Sequence, residues 1–328
     1  MKEPPSMMRA LPWVGLSVLA AALACPAARA VIFYSTADQT FNTTAPTGSL
    51  ANSGWQWVGT FDGFAATPIA PNCFLAAHHI GGSVGDTFTL NGVTYTTTAY
   101  HDDPESDLRI WQVSGTFPSW APIYRNSDEA GRALVVFGRG LGRGFEVDVN
   151  GVAAGWQWGS GGGTLRWGQN TVNSVVDAGA PWGLQLYALF EGNTGNPNEA
   201  HLASGDSSGP VFINDGTGWK LAGVAALVDG PFYTSPTSAS FEAALFDARG
   251  LYFDNNGTVE LISGPSPIPS GFYATRVSVR AAWIDSIAPQ PAGSTDTPLL
   301  SGPQMLVLVL GLFGIGAYGL NRRNQQAS

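Results

Sequence analysis

Apolar residues alternating with polar ones at a period of two, in short runs cut apart by turn dipeptides, recur from residue 31 to residue 262. That period is the spacing of one face of a strand, so the chain has to bury its apolar surface as β-structure. Thr87-Phe88-Thr89-Leu90, Leu108-Arg109-Ile110, Leu134-Val135-Val136-Phe137 and Phe145-Glu146-Val147-Asp148-Val149 are examples, and Asn91-Gly92, Asn150-Gly151, Asp215-Gly216 and Asn256-Gly257 are the turns. Asn-Gly and Asp-Gly suit the left-handed backbone of tight hairpins. Val211-Phe212-Ile213 and Trp219-Lys220-Leu221-Ala222-Gly223-Val224 predict one hairpin around Asp215-Gly216. With 42 Gly and 22 Pro in 328 residues, long helices are not expected. The period changes once. Val277, Ala281, Ile284 and Ala288 fall on one helical face, and Pro289 and Pro291 end that segment. No internal repeat is evident.

Both ends differ from this body. Lys2 and Arg9, an apolar stretch over 11–24 and the small residues of Ala28-Arg29-Ala30 predict a signal peptide over 1–30. Cleavage after Ala30 leaves Cys73 as the one cysteine, so no intramolecular disulfide is possible. Cys73 enters an apolar strand and is expected to be buried and inert. A lipidated Cys25 is the weaker reading of the leader, because Ala22-Leu23-Ala24 is a poor approach to it. Residues 289–303 read as a Pro/Gly/Ser/Thr linker and 304–328 as a hydrophobic sorting or anchor tail. The apolar run 305–320 is about 24 Å long as a helix, short of a ~30 Å hydrocarbon core. Arg322-Arg323 after it would lie on the cytoplasmic side, leaving the body exported. The net charge of -9, without a basic stripe, argues against nucleic acid as a partner.

Four histidines are present, His78, His79, His101 and His201. Nucleophilic catalysis by a serine needs a base, a buried anion to orient it and donors for the oxyanion. In Gly205-Asp206-Ser207-Ser208-Gly209-Pro210 the glycine lets the backbone turn so that the amides of Gly205 and Ser207 serve as an oxyanion hole for the nucleophile Ser207. Leu75-Ala76-Ala77-His78 places a histidine after small residues, and His78 is the expected base. Asp107 opens an alternating strand, and is the expected orienting carboxylate.

Taken together these residues resemble the trypsin/chymotrypsin family of serine proteases. The resemblance is carried by Ala76-Ala77-His78, Asp107-Leu108, Gly205-Asp206-Ser207 with Gly209-Pro210, and the order His78, Asp107, Ser207. A further match is Gly271-Phe272-Tyr273-Ala274-Thr275-Arg276-Val277 followed by Trp283-Ile284, similar to the family's closing strand and C-terminal helix. It implies an all-β fold of two antiparallel six-stranded barrels with a C-terminal helix, over 31–125 and 126–288, and a site between them. It implies a serine endopeptidase acting on protein or peptide substrates, with no cofactor and no metal. The tail resembles the sorting signals of bacterial exosortase-type systems, with Thr297-Pro298-Leu299-Leu300-Ser301 where the best-known class has Pro-Glu-Pro. Its partner would be sorting machinery or the membrane.

The departures from the family are specific. His79 stands where the family has a cysteine, and Ser208 where it has a glycine. No Ile-Val-Gly-Gly activation site occurs. In the family a new N-terminal ammonium pairs with the aspartate before the nucleophile, here Asp206. Arg139, and after it Arg143, are the candidates to replace that ammonium. His201 and Gly271 are the positions expected to shape the specificity pocket, and His201 does not imply a preference for basic residues. These departures also admit a second reading, a catalytically inactive relative serving as a binding or matrix module at the cell envelope. Gly138-Arg139-Gly140-Leu141-Gly142-Arg143-Gly144 resembles a phosphate loop, but a strand rather than a helix follows it. Asp102, Asp103, Glu105 and Asp107 read as a solvated loop rather than a Ca²⁺ site. The 11 Trp residues, scattered through strands, read as core rather than a carbohydrate platform.

Overall fold

The computed structural model describes residues 30–255 and 257–289; the leader before them and the tail after them lie outside the described residues. In the first half the strands are β1 (Ile32–Phe33), β2 (Gly59–Phe61), β3 (Phe64–Ala70), β4 (Cys73–Ala77), β5 (Thr87–Leu90), β6 (Val93–Asp102) and β7 (Leu108–Val113). The next are β8 (Ala133–Gly138), β9 (Arg143–Val149), β10 (Val152–Trp158), β11 (Arg166–Thr171), β12 (Ser174–Asp177), β13 (Leu184–Leu189) and β14 (Ala200–His201). The last are β15 (Pro210–Asn214), β16 (Trp219–Val228), β17 (Phe232–Tyr233), β18 (Ser240–Phe241), β19 (Ala243–Leu245), β20 (Tyr252–Asn255), β21 (Thr258–Leu261) and β22 (Gly271–Arg276). A short helix, α1 (Ala281–Ile287), follows.

Six strands close into a barrel in the order β2-β3-β4-β7-β6-β5. The second half departs from the expected second six-stranded barrel. Its main element is a seven-stranded antiparallel sheet in the order β11-β8-β15-β16-β22-β13-β12. The long β9–β10 hairpin leaves that sheet and pairs with β19, while β17, β18, β20 and β21 form a sheet of their own.

The apolar pattern explains how the two halves join. Phe74 and Ala76 of β4 and Trp111 and Val113 of β7 point into the barrel, where Phe74 stacks on Phe88 at 4.4 Å. Their neighbours Cys73, Leu75, Ala77, Leu108 and Ile110 point the other way, into a core shared with Val135, Phe137, Phe212 and Leu221 of the sheet. Strands buried on both faces read as continuous apolar runs, and β4 is such a strand. Cys73 is buried there, and burial pushes its thiol up to about 11. A third core, formed by Val136, Val211, Ala222 and Ala274, also takes in Val31 and Phe33 from the N-terminal segment.

The expected helix is present. Its face is sealed by Val277, Ile284 and Ala288 in the shared core. Its approach corrects the reading of the acidic loop as solvated. Arg280 pairs with Asp103 and Glu105, and Asp103 is buried, so the loop is an anchor for the C-terminal segment. Arg125 and Asp285 add a bidentate pair at 2.7 and 2.8 Å. No helix among the described residues is long and apolar enough to cross a membrane.

Candidate active site

Strands β4 and β7 pair so that Ala77 lies opposite Leu108. The residues just beyond this pair, His78 and His79 on one side and Asp107 on the other, therefore meet at one end of the barrel. The His78 N–H extends the ladder, donating to the Asp107 carbonyl at 3.0 Å. The chain then turns through a short 3₁₀ segment, His78–Ile80, closed by Gly81 at φ 80°. That turn decides which ring faces the carboxylate.

It is His79. Asp107 is 3% exposed, and both its oxygens are taken by the same residue. Oδ1 accepts the His79 backbone N–H at 2.9 Å, and Oδ2 meets the His79 ring at Nδ1, 2.5 Å away. A carboxylate at Nδ1 places the proton there and leaves Nε2 as the basic nitrogen. His79 also packs edge-on against Trp182 at 5.7 Å. The ring of His78, the base expected from sequence, does not meet Asp107: it is about half exposed and lies near Asp102, 3.8 Å away.

Ser207 lies in the loop that enters β15, an interior strand of the seven-stranded sheet. This loop touches the barrel directly, since the Ala77 N–H donates to Ser208 Oγ at 3.0 Å. Ser208 thus turns its Oγ toward β4. Its side chain is buried, its φ is 65°, and it fastens the Ser207 loop to the end of β4. Ser207 itself is half-buried, and no hydrogen bond joins its hydroxyl to His79. Such contacts are often loose without substrate and tighten when it binds. The amides of Asp206, Ser208 and Gly209 donate to Ala203, Ala225 and Asp206. Those of Gly205 and Ser207 donate to no protein acceptor among the described residues, which leaves two amide donors flanking Asp206 available for an oxyanion.

Glycines set the shape of the loop. Gly205 has φ 87°, and a Cβ on it would come within 2.8 Å of the Gly140 Cα. A Cβ on Gly140 would meet Asp206 N at 2.5 Å and Gly205 C at 2.7 Å, and one on Gly138 would overlap Asp206 Oδ1. The glycine run that resembles a phosphate loop is therefore the seat on which the Ser207 loop packs, backbone to backbone. Gly140→Ala should displace that loop, lowering stability by about 1–3 kcal/mol, the usual effect of forcing a methyl into a filled site. Thermal unfolding alongside the rate of active-serine labelling checks this.

Asp206 is fully enclosed, and burial pushes its carboxyl up to about 7, opposed by backbone N–H donors and by Arg166. Gly140 and Ala203 donate to it at 2.8 and 2.9 Å, and the backbone N–H of Val31 also favours its ionised form. Neither expected arginine pairs with it. Arg143 lies 3.2 Å over the Trp156 ring and donates to Tyr34 O at 2.9 Å. Arg139 has a buried Nε without an acceptor, and burial lowers its pKa. What reaches Asp206 is the start of the described chain, held by β1 against β14 and by Arg166, which donates to the carbonyls of Phe41 and Asp38 at 2.8 and 3.0 Å. Nothing local in the sequence marks Arg166, and Val31 is marked only as the residue after the expected cleavage at Ala30.

Beside Ser207 a cavity of about 270 Å³ opens, lined by Trp158, Ala203, Ala226, Leu227, Gly230 and Glu242 among others. Neither residue expected to shape a pocket lines it. His201 is wholly buried behind it, with Nδ1 2.6 Å from Leu202 O and Nε2 3.4 Å from Ser270 Oγ, and burial lowers its pKa. Gly271 is taken up in the β22–β13 pairing, where a Cβ would strike Tyr187. No metal-binding group of three or more His, Cys, Asp or Glu occurs among the described residues. Compared with protein-family models and with curated proteins, the chain matches none.

Proposed function

We propose that this chain is an exported serine endopeptidase of the trypsin/chymotrypsin kind, with Ser207 as nucleophile, His79 as base and Asp107 as its orienting anion. The observation that carries the reading is the double grip of buried Asp107 on His79, through ring Nδ1 at 2.5 Å and backbone N–H at 2.9 Å. A buried carboxylate with both oxygens committed to one histidine fixes the tautomer and stabilises the imidazolium that a proton transfer creates. On this reading the barrel supplies base and anion, and the seven-stranded sheet stands where the family has its second barrel.

The chemistry follows from these positions. As Ser207 Oγ attacks the scissile carbonyl carbon, His79 Nε2 takes its proton, and the carbonyl oxygen becomes an oxyanion facing the amides of Gly205 and Ser207. Collapse of the tetrahedral intermediate breaks the C–N bond, and the imidazolium gives its proton to the leaving amine. Water then repeats the sequence on the acyl-enzyme, with His79 again as base. A fluorophosphonate probe should label the protein, and Ser207→Ala should abolish both labelling and peptide cleavage. Turnover in Ser207→Ala equal to the parent would end this proposal. An unlabelled parent would instead favour an inactive, protease-like binding module.

The same reading offers a partner for Asp206. Removal of a leader after Ala30 would turn the Val31 amide into an α-ammonium beside this enclosed carboxylate, in place of the arginine expected from sequence. Export itself would then finish the site, with no separate propeptide.

A further inference from the structure

Glu242 lines the cavity beside Ser207 and has no cationic or hydrogen-bonding partner for its carboxylate among the described residues. Only its backbone is engaged, accepting from the Trp158 N–H at 3.1 Å. The carboxylate reaches over Gly230, where a Cβ would lie 2.7 Å from Oε2, so the absence of a side chain at Gly230 is what admits it. Burial alone raises its pKa, with no neighbouring charge set against the effect. Asp206, the other acid of the lining, differs, because its oxygens accept backbone N–H groups. The rest of the lining is mostly apolar, with Trp158, Ala203, Ala226 and Leu227, and carries Ser204 and Ser207.

A half-buried carboxylate left without a partner in a largely apolar cavity is unfavourable until a cation arrives. The group that suits the cavity has a long apolar stem and a positive head. Lysine and arginine side chains are built this way, with methylenes that cover apolar surface while the head seeks a charge. We infer that the cavity takes the lysine or arginine side chain preceding the scissile bond, and that Glu242 is its specificity-determining residue. This rests on the peptidase reading of Ser207. It does not follow from the sequence position expected to set specificity, where wholly buried His201 stands.

The test uses peptidyl coumarin amides that differ only in the residue before the bond. The parent should cleave Lys and Arg substrates at least about tenfold better in kcat/KM than Leu or Phe substrates, the factor that each 1.36 kcal/mol of barrier supplies. Glu242→Gln should erase that preference by lowering the basic substrates most, while an unfolding temperature close to the parent's and continued fluorophosphonate labelling show that the fold survives. Benzamidine, a small aromatic cation, should raise the unfolding temperature of Ser207→Ala and not of Ser207→Ala/Glu242→Gln. A parent that labels normally but prefers Leu or Phe overturns the inference and leaves the peptidase standing. A parent that does not label removes the peptidase reading, and benzamidine binding then reports on the cavity by itself. Equal benzamidine shifts in the two variants overturn the role of Glu242.

Discussion

His79→Ala should lose activity on the order of 10⁴–10⁶-fold in kcat, the scale on which losing a member of a Ser-His-Asp set is felt. His78→Ala should stay within about threefold of the parent, as a surface substitution does. The two histidines are adjacent, carry the same ring and start from the same motif, so composition and gross charge are held constant. What differs is position. His79 spends Nδ1 on a carboxylate that is 3% exposed, while His78 is about half exposed and 3.8 Å from Asp102, which Arg109 already holds at 2.5 Å. Removing the His79 ring leaves Asp107 Oδ2 without its partner and Ser207 without a base. Removing the His78 ring frees only a loose contact with an acid that keeps its arginine. Kinetics on a peptide substrate, with unfolding curves to show that both variants fold, separates the two. The opposite pattern, an inactive His78→Ala beside an active His79→Ala, would return the base to the residue expected from sequence and void the Asp107 argument.

The choice between these histidines shows where sequence reasoning stops. Alternation and turn residues are local properties, and they translated well. Asn91 and Gly92 take φ of 50° and 80°, Asn150 and Gly151 take 56° and 82°, and each pair turns the chain out of the strand predicted before it into a second one. The helical face at Val277, Ile284 and Ala288 translated equally well, because a change of period is written in consecutive residues. Which histidine faces Asp107 depends on whether the chain past Ala77 continues as strand or tightens into a 3₁₀ turn. Ala-Ala-His-His is compatible with both. Sheet closure is harder still. A strand pattern does not say that β10 will leave the main sheet to pair with β19, about ninety residues away, and so the second barrel did not follow. Glu242 is remote from Ser207 in sequence and reaches the cavity through that same excursion, so no motif could announce it. The glycine run at 138–144, rejected as a phosphate loop because a strand follows it, has no other role legible in the sequence. It marks close backbone approach, and the object that approaches is the Ser207 loop.

A chain beginning at Val31 should be at least about a hundredfold more active above neutral pH than one in which Ala30 still precedes it, since leaving one member of a buried ion pair alone costs about 3–5 kcal/mol. Two features of the uncleaved chain lead to this. Val31 sits at φ 61°, a left-handed conformation that a β-branched residue adopts only under strain. That torsion is defined by the peptide bond to Ala30, so cleavage there removes the torsion and its strain together. Asp206 is the second feature. Its carboxyl, raised to about 7 by burial, binds a proton in the folded chain that the unfolded chain releases at ordinary carboxylate pKa. Stability from this group is complete below the ordinary carboxylate pKa and is lost as pH rises through about 7. An α-ammonium at Val31 reverses the sign: it favours the ionised carboxylate, draws the pKa down, and keeps the Ser207 loop in place where the uncleaved chain loosens. Thermal unfolding and turnover from pH 5 to pH 9, on chains starting at Val31 and at Ala30, should diverge as pH rises. Acetylating the Val31 amine should return the first profile to the second, because it removes the charge and restores an amide, with its torsion, at Val31. Coincident profiles for all three would show that Asp206 needs no ammonium and that its backbone donors suffice.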